Sequence, residues 1–229
     1  MQIFVWQIAA NTSTIQPIFA DLIMKHIIVR ANNAQRDEWL KKPASTDGFV
    51  EFVATGDQVF YERTADIYFD LDVDVQQLVK IETNKPVFVN AVIQKLDKFP
   101  ANVIRINAWD GFLQRDVVEI VSSEENKLVV AETMKVLDWK YQLVPDSVGM
   151  IAPRIISMII NEAYYALGEE VSSVEEIDIA MKLGTNYPYG PFEWARKIGL
   201  KNIYHLLREL DKTESRCAIA PALEITIPA

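Results

Sequence analysis

The stretch GTNYPYGPFEWARKIGL, from Gly184 to Leu200, decides how the second half of this chain is read. It closes one helix, turns through Pro188 and Pro191, and opens another. Gly184 suits the position just past a helix C-terminus, Pro191 the first position of the next helix, and Gly199 that helix's end. Upstream lie two helical runs, MIAPRIISMIINEAYYALGEE from Met150 and SSVEEIDIAMKLG from Ser172. In the first, Ile151, Ile155, Met158, Ile159, Glu162 and Ala163 share a broad face, and Ile156, Ile160 and Tyr164 extend apolar character around the cylinder. A helix this apolar is buried on several sides. In the second, Ser173 and Glu176 make an S-x-x-E capping box. Leu200, Ile203, Tyr204, Leu206, Leu207 and Leu210 line a final amphipathic helix. These signals agree with one another, so an all-helical module is expected over residues 147–229, with Asp146–Gly149 as the hinge before it.

Residues 1–146 follow another pattern. Gln2–Ala9 is β-branched and aromatic with little charge, as suits a strand buried on both faces. AANTSTIQPIFADLIMK then reads as a turn and a helix, and His26–Ala31 as a second strand. Strand, helix and strand within ~30 residues is a βαβ unit and implies a parallel sheet. Further strands are expected at Phe49–Ala54, Ala65–Leu71, Pro86–Val89, Val103–Ala108 and Val117–Val121. Helices fit at Arg36–Lys41, Asp74–Glu82, Val92–Lys98 and Glu124–Leu137. The pieces around Ala31–Gln35 and Lys41–Gly48 read as loops. The fold class expected is an α/β Rossmann-like parallel sheet followed by an all-α C-terminal domain.

A dinucleotide fold needs glycines after its first strand, so that the backbone can touch pyrophosphate at a helix N-terminus. The corresponding six residues here, Gln7 to Thr12, include no Gly. Gln7, Ala9 and Thr12 would put side chains where the pyrophosphate goes. The acid expected after the second strand is also missing, for Ala31, Asn32 and Asn33 stand there. NAD in the usual mode is disfavoured on steric grounds.

The chain has 229 residues, half of them hydrophobic, and a formal net charge of −9. That field repels nucleic acid. The single cysteine, Cys217, allows no intramolecular disulfide, and the sequence places no His or acid near it at a nucleophile-like spacing, so an ordinary thiol is expected. MQIFVWQIAANTS has no basic residue ahead of its apolar run, and no stretch reaches the ~18 apolar residues of a membrane span. A cytoplasmic protein without membrane association is expected. His26 and His205 read as surface or interhelical residues. Asp66, Asp70, Asp72 and Asp74 form an acidic cluster that lacks the glycine turn and closing Glu of a cation loop, so it reads as a solvated strand end and no metal is expected.

The run Val148–Leu210, together with DVVEIV (Asp116–Val121), INAWDGF (Ile106–Phe112), VNAVIQ (Val89–Gln94) and ADIYFD (Ala65–Asp70), resembles the 3-hydroxyacyl-CoA dehydrogenase family. The resemblance implies an NAD-binding domain joined to a helical one, with a role in fatty-acid metabolism. It also implies a His that takes the substrate's hydroxyl proton and a Glu that orients that His. By the family's spacing Glu119 holds the orienting place and Asn107 stands where the His belongs. An amide cannot act as the base near neutrality. At the matched substrate positions Asn90 persists, Val92 replaces a hydroxyl residue, and Pro153 replaces an Asn, while Gly149 and Arg154 persist. Arg196 stands where the family usually has Asp.

The resemblance therefore leads to a dehydrogenase-like protein without NAD-dependent catalysis, which binds an acyl-CoA-like small molecule or a partner protein. NAD enters only through the resemblance. The alternative is an active NAD-dependent 3-hydroxyacyl-CoA oxidoreductase with an altered site. A third reading is a purely structural dimer subunit. The family's use of its helical domain implies a homodimer through residues 147–229.

Overall fold

Several short runs of this chain are apolar on both sides, and each becomes a strand that can be covered on both faces. In the computed structural model, which describes residues 24–44, 47–72, 81–214 and 217–227, they form a seven-stranded sheet. The strands are β1 (Lys25–Arg30), β2 (Gly48–Val53), β3 (Ile67–Asp70), β4 (Val87–Val89), β5 (Val103–Ile106), β6 (Val117–Val121) and β7 (Lys140–Leu143). Their order is β2-β1-β3-β4-β5-β6-β7, and every neighbouring pair is parallel except β5 with β6. The expected strand Gln2–Ala9, its helix and the residues Gln7, Ala9 and Thr12 lie outside the described residues, as does most of the helix expected at Asp74–Glu82.

Side chains alternate across the sheet as the strand period demands. Ile27 and Val29 join Phe69, Phe88 and Ile104 on the face covered by helices α1 (Asn33–Leu40) and α2 (Lys127–Leu137). Ile28 joins Tyr68, Val87 and Phe60 on the other face. Trp39 of α1 meets Trp139 at 4.4 Å between ring centroids and Phe69 at 4.9 Å, both edge-on.

The helical unit comprises α3 (Ala152–Gly168), α4 (Val174–Thr185), α5 (Pro191–Ile198), α6 (Leu200–Asp211) and α7 (Pro221–Thr226). The Ser173–Glu176 capping box forms as expected. Gly190 lets α5 pack hard on α4, because a Cβ there would sit 2.5 Å from the Asp178 Cα. Asp178 in turn accepts the Phe192 N–H at 2.8 Å, so its carboxylate caps α5. Gly199 ends that helix at φ 90°, where a side chain would be strained. Ile156, Ile160, Tyr164, Trp194 and Leu206 share one core with Val92, Trp109 and Phe112 from the loops after β4 and β5.

Four local expectations need correction. Val92–Lys98 is not a helix but a loop with one 3-10 turn, Leu96–Lys98, because its backbone bonds are taken elsewhere. The Val92 carbonyl accepts from Gly149 N and from Arg105, and Leu96 N donates to Asp146. Ala31–Gln35 is not wholly loop, since Asn32 and Gln35 form a capping box that starts α1 at Asn33. Gly184 lies inside α4, and the left-handed residue is Asn186 at φ 56°. Strand β7 was not expected, for its sequence KYQL has the largely exposed pattern of an edge.

Arg105 joins the two units. It is fully buried, and its guanidinium donates to the carbonyls of Ala91, Val92 and Ser147 and pairs with Asp146. Replacing Arg105 by Met removes every one of these bonds at once. Urea unfolding should show a loss of ~3–5 kcal/mol, the range for breaking a buried ion pair from one side.

Candidate functional site

In an open parallel sheet, ligands bind outside the carboxyl ends of the strands where the strand order reverses. Here the chain passes from β1 outward to β2 and then returns to lay β3 on the opposite side of β1. The reversal therefore lies between β1 and β3, whose last residues, Arg30 and Asp70, are register partners.

These two close the crevice themselves. Arg30 Nε donates to Asp70 Oδ1 at 2.8 Å, and a second, very short contact joins the same groups into a fork. Arg30 also donates to the Asp57 carbonyl at 2.9 Å, and its guanidinium lies over the Phe60 ring at 4.5 Å. The Tyr61 hydroxyl donates to Asp70 at 2.7 Å. Burial works against the Arg30 charge, but the hydrogen bond and charge of Asp70 outweigh it and hold its pKa above the ordinary value. Burial, with Asp70 behind it, pushes the Tyr61 phenol far up and keeps it protonated. Asp70 is wholly buried, so the expectation of a solvated strand end is wrong for this residue. The charge pattern missed it because an Arg 40 positions away supplies the partner.

A glycine fingerprint has the spacing i, i+2, i+5 after a strand that opens into a helix. Laid on the turn from β1 into α1, it falls on Arg30, Asn32 and Gln35. Each has a side chain with work at the mouth. Asn32 caps α1 and reaches Asp110 at 3.4 Å. The buried Gln35 amide donates to the carbonyls of Leu71 and Ala108 at 2.8 and 2.9 Å, tying the ends of β3 and β5 together. Asp72 and Asp110 add carboxylates there, and burial raises the pKa of both, each with a like charge nearby. A diphosphate would meet side chains at all three glycine places and acids around them. The residues present do not fit a dinucleotide in its usual seat.

The second group of expected residues does come together. Asn107, at the end of β5, donates its amide to Glu119 Oε2 at 3.3 Å, and its backbone N–H bonds the Glu119 carbonyl at 3.1 Å. The other Glu119 oxygen accepts the Ala152 N–H at 2.9 Å, so this carboxylate caps α3. Because a carboxylate only accepts, the Asn107 Nδ2 is committed to it; the buried Oδ1 has no hydrogen-bond partner among the described residues. Asn90 accepts the Ala108 N–H at 3.0 Å and donates to the Leu71 carbonyl at 3.1 Å. Pro153 is buried in the first turn of α3. The Val92 side chain is buried in the helical core. His26 stands at the other end of β1, 3.2 Å from Glu51. Among the described residues no group of His, Cys, Asp or Glu is arranged to hold a metal, and no helix is long and apolar enough to cross a membrane.

The site thus belongs to a Rossmann-type sheet whose strand ends are roofed by a helical unit, an architecture shared with dehydrogenases of known structure. The (S)-3-hydroxybutyryl-CoA dehydrogenase from Ralstonia eutropha superposes with a TM-score of 0.66 at 19% identity, over 88% of this chain and 93% of that one. At that identity the likeness speaks for the fold alone. Residues 149–225 match the sequence profile of the 3-hydroxyacyl-CoA dehydrogenase, C-terminal domain. The 3-hydroxyadipyl-CoA dehydrogenase of Escherichia coli (strain K12) is 48% identical over 67 residues, which are 29% of this chain and 14% of that protein. A 3-hydroxybutyryl-CoA dehydrogenase of Clostridioides difficile is 30% identical over 149 residues, 63% of this chain and 53% of that protein. The matched regions span about half or less of these curated relatives. Residues 149–225 thus carry the helical domain of the 3-hydroxyacyl-CoA dehydrogenase family, and the sheet before them has the fold of such enzymes.

Asp110 tests the electrostatics of the mouth. Its folded pKa is raised, chiefly by burial, so its protonated form favours the fold, and that contribution is lost as pH rises through the folded value. Asp110→Asn should therefore stabilise the protein at neutral pH by a few tenths of a kcal/mol, solvent screening keeping the effect small. The gain should vanish well below the ordinary aspartate pKa, as urea unfolding at the two pH values would show.

Proposed function

We propose that this protein is a 3-hydroxyacyl-CoA dehydrogenase-like binding protein that has lost NAD-dependent catalysis and takes an acyl-CoA-like ligand between its sheet and helical unit. The observation that carries this is the Arg30–Asp70 pair, held by Tyr61 across the point where the strand order reverses. A fork-paired Arg and Asp fill the space that a nucleotide fold keeps open, and opening it would leave two charges unpaired, with Asp70 wholly buried. Asn107 supports the same reading. It keeps the hydrogen-bonding place beside Glu119 but cannot accept a proton from an alcohol near neutrality. What remains is a polar group set under an apolar helical roof, which suits holding a ligand rather than oxidising it.

NADH titration followed by nicotinamide fluorescence should give no saturable change, and acetoacetyl-CoA should not be reduced. Acetoacetyl-CoA alone should raise the melting temperature, the stabilisation reaching ~2.7 kcal/mol at a hundredfold excess over the dissociation constant. Saturable NADH binding with turnover abolished by Glu119→Gln would establish the active alternative instead. No stabilisation by either compound would leave a structural subunit.

The exposed apolar side chains of Ile155 on α3 and Leu183 on α4, 50% and 82% accessible, favour a homodimer through the helical unit of a cytoplasmic protein. Sedimentation velocity should show a dimer that Leu183→Glu shifts to monomer; a monomeric unchanged chain would rule this out.

A further inference from the structure

A cleft of about 640 Å³, lined by none of the residues just described, lies between the C-terminal ends of α1 and α2, the loop before β6 and the start of β7. Five of its lining residues are cationic: Lys41, Lys42, Arg115, Lys135 and Lys140. The protein as a whole carries a net charge of −9, so this concentration runs against its overall field. Lys140 pairs with Asp116 at 3.0 Å. The other four make no ion pair among the described residues, whereas the cations at the crevice and the unit junction are paired.

Part of the positive charge answers the fold. Helix C-termini carry about half a negative charge each, and lysines placed there are favourable. Two helix ends, with the lining carboxylates Asp116 and Asp138, still leave the cleft in positive surplus. Lys42 sharpens the point. Its ammonium donates to the Arg115 carbonyl at 2.7 Å and lies 4.9 Å from the centre of the Trp139 ring. Burial lowers its pKa, with Asp116 countering only in part. A half-buried cation without a paired carboxylate costs stability unless something else compensates it. Tyr141, partly exposed beside the nearly buried Trp139 and Met134, offers a ring against which a ligand can rest.

We propose that this cleft is a second, independent binding site for an organic phosphate of nucleotide size, with Lys42, Lys135 and Arg115 meeting the phosphates and Tyr141 meeting the ring. The cations converge on a concavity from four separate segments instead of forming a flat stripe, which favours a compact ligand over an extended acidic chain. The volume lies within the ~300–1,000 Å³ of small-molecule sites. The residues involved are distinct from those of the acyl-CoA reading, so either can fail alone.

The test is calorimetric titration of the full chain with inorganic pyrophosphate and with ADP at low ionic strength. Saturable binding is expected for both, tighter for ADP. Lys42→Gln and Lys135→Gln should each weaken it about tenfold, while Lys201→Gln, an exposed lysine on α6, should leave it unchanged. Lysine-reactive footprinting on the unaltered chain gives a second measurement: pyrophosphate should protect Lys42 and Lys135 and spare Lys201. No saturable binding of either probe, binding indifferent to the cleft variants, or footprint protection elsewhere would overturn the proposal. Capture of an acidic peptide without either phosphate would do the same.

Discussion

The buried guanidinium of Arg105 is the constraint on which the arrangement of this molecule turns. A charge removed from water must be met by acceptors on several sides, and Arg105 finds them in two different places. The carbonyls of Ala91 and Val92 belong to the loop after β4, while Asp146 and the Ser147 carbonyl belong to the segment that enters the helical unit. One side chain therefore fixes the loop that bears Asn90 and Val92 against the chain that leads into α3. The reversal of direction between β5 and β6 completes the frame. It sets Glu119 opposite Asn107 and aims a carboxylate at the first turn of α3. The sheet and its helical roof are thus fastened by polar contacts on either side of Asn107 and Glu119, around an apolar core shared by both.

The same economy appears at the mouth of the sheet. Where glycine would leave room, Arg30, Asn32 and Gln35 use their side chains to bind neighbouring strand ends to one another. The Rossmann-type fold is kept, and the hydrogen-bonding groups at its carboxyl edge are engaged with one another. Asn107 fits this pattern, since its amide is engaged by Glu119.

Much of this was legible in the sequence, and the exceptions have physical causes. Strands such as IIV and VFV announce themselves because burial on two faces demands uninterrupted apolar residues. The Ser173 cap and Pro191 at the start of α5 are local chemistry, readable wherever the partner lies within a turn. The placing of Asn107 and Glu119 together came from the family resemblance and its motif spacing, and the antiparallel register of β5 and β6 is what brings the two side chains into contact. Strand β7 was hidden by its exposed edge pattern. The Arg30–Asp70 closure was hidden for another reason: which strand lies at the centre is decided by pairing between distant segments. An arginine at a strand end looks like a solvent-facing residue until its neighbour is known. Asn32 and Gln35 looked like loop for the same reason, for Gln35's acceptors are 36 and 73 residues downstream.

Arg105 also has a bearing on how the chain acquires its shape. Its anionic partner Asp146 lies 41 residues further along, at the entrance to the helical half. A growing polypeptide that has made only the strands before that point holds a cation which has lost water and not yet gained its counter-charge. The strands and the helices are consequently expected to consolidate together, late in synthesis, as one cooperative event. A fragment cut just ahead of Asp146 would be a poor candidate for independent folding.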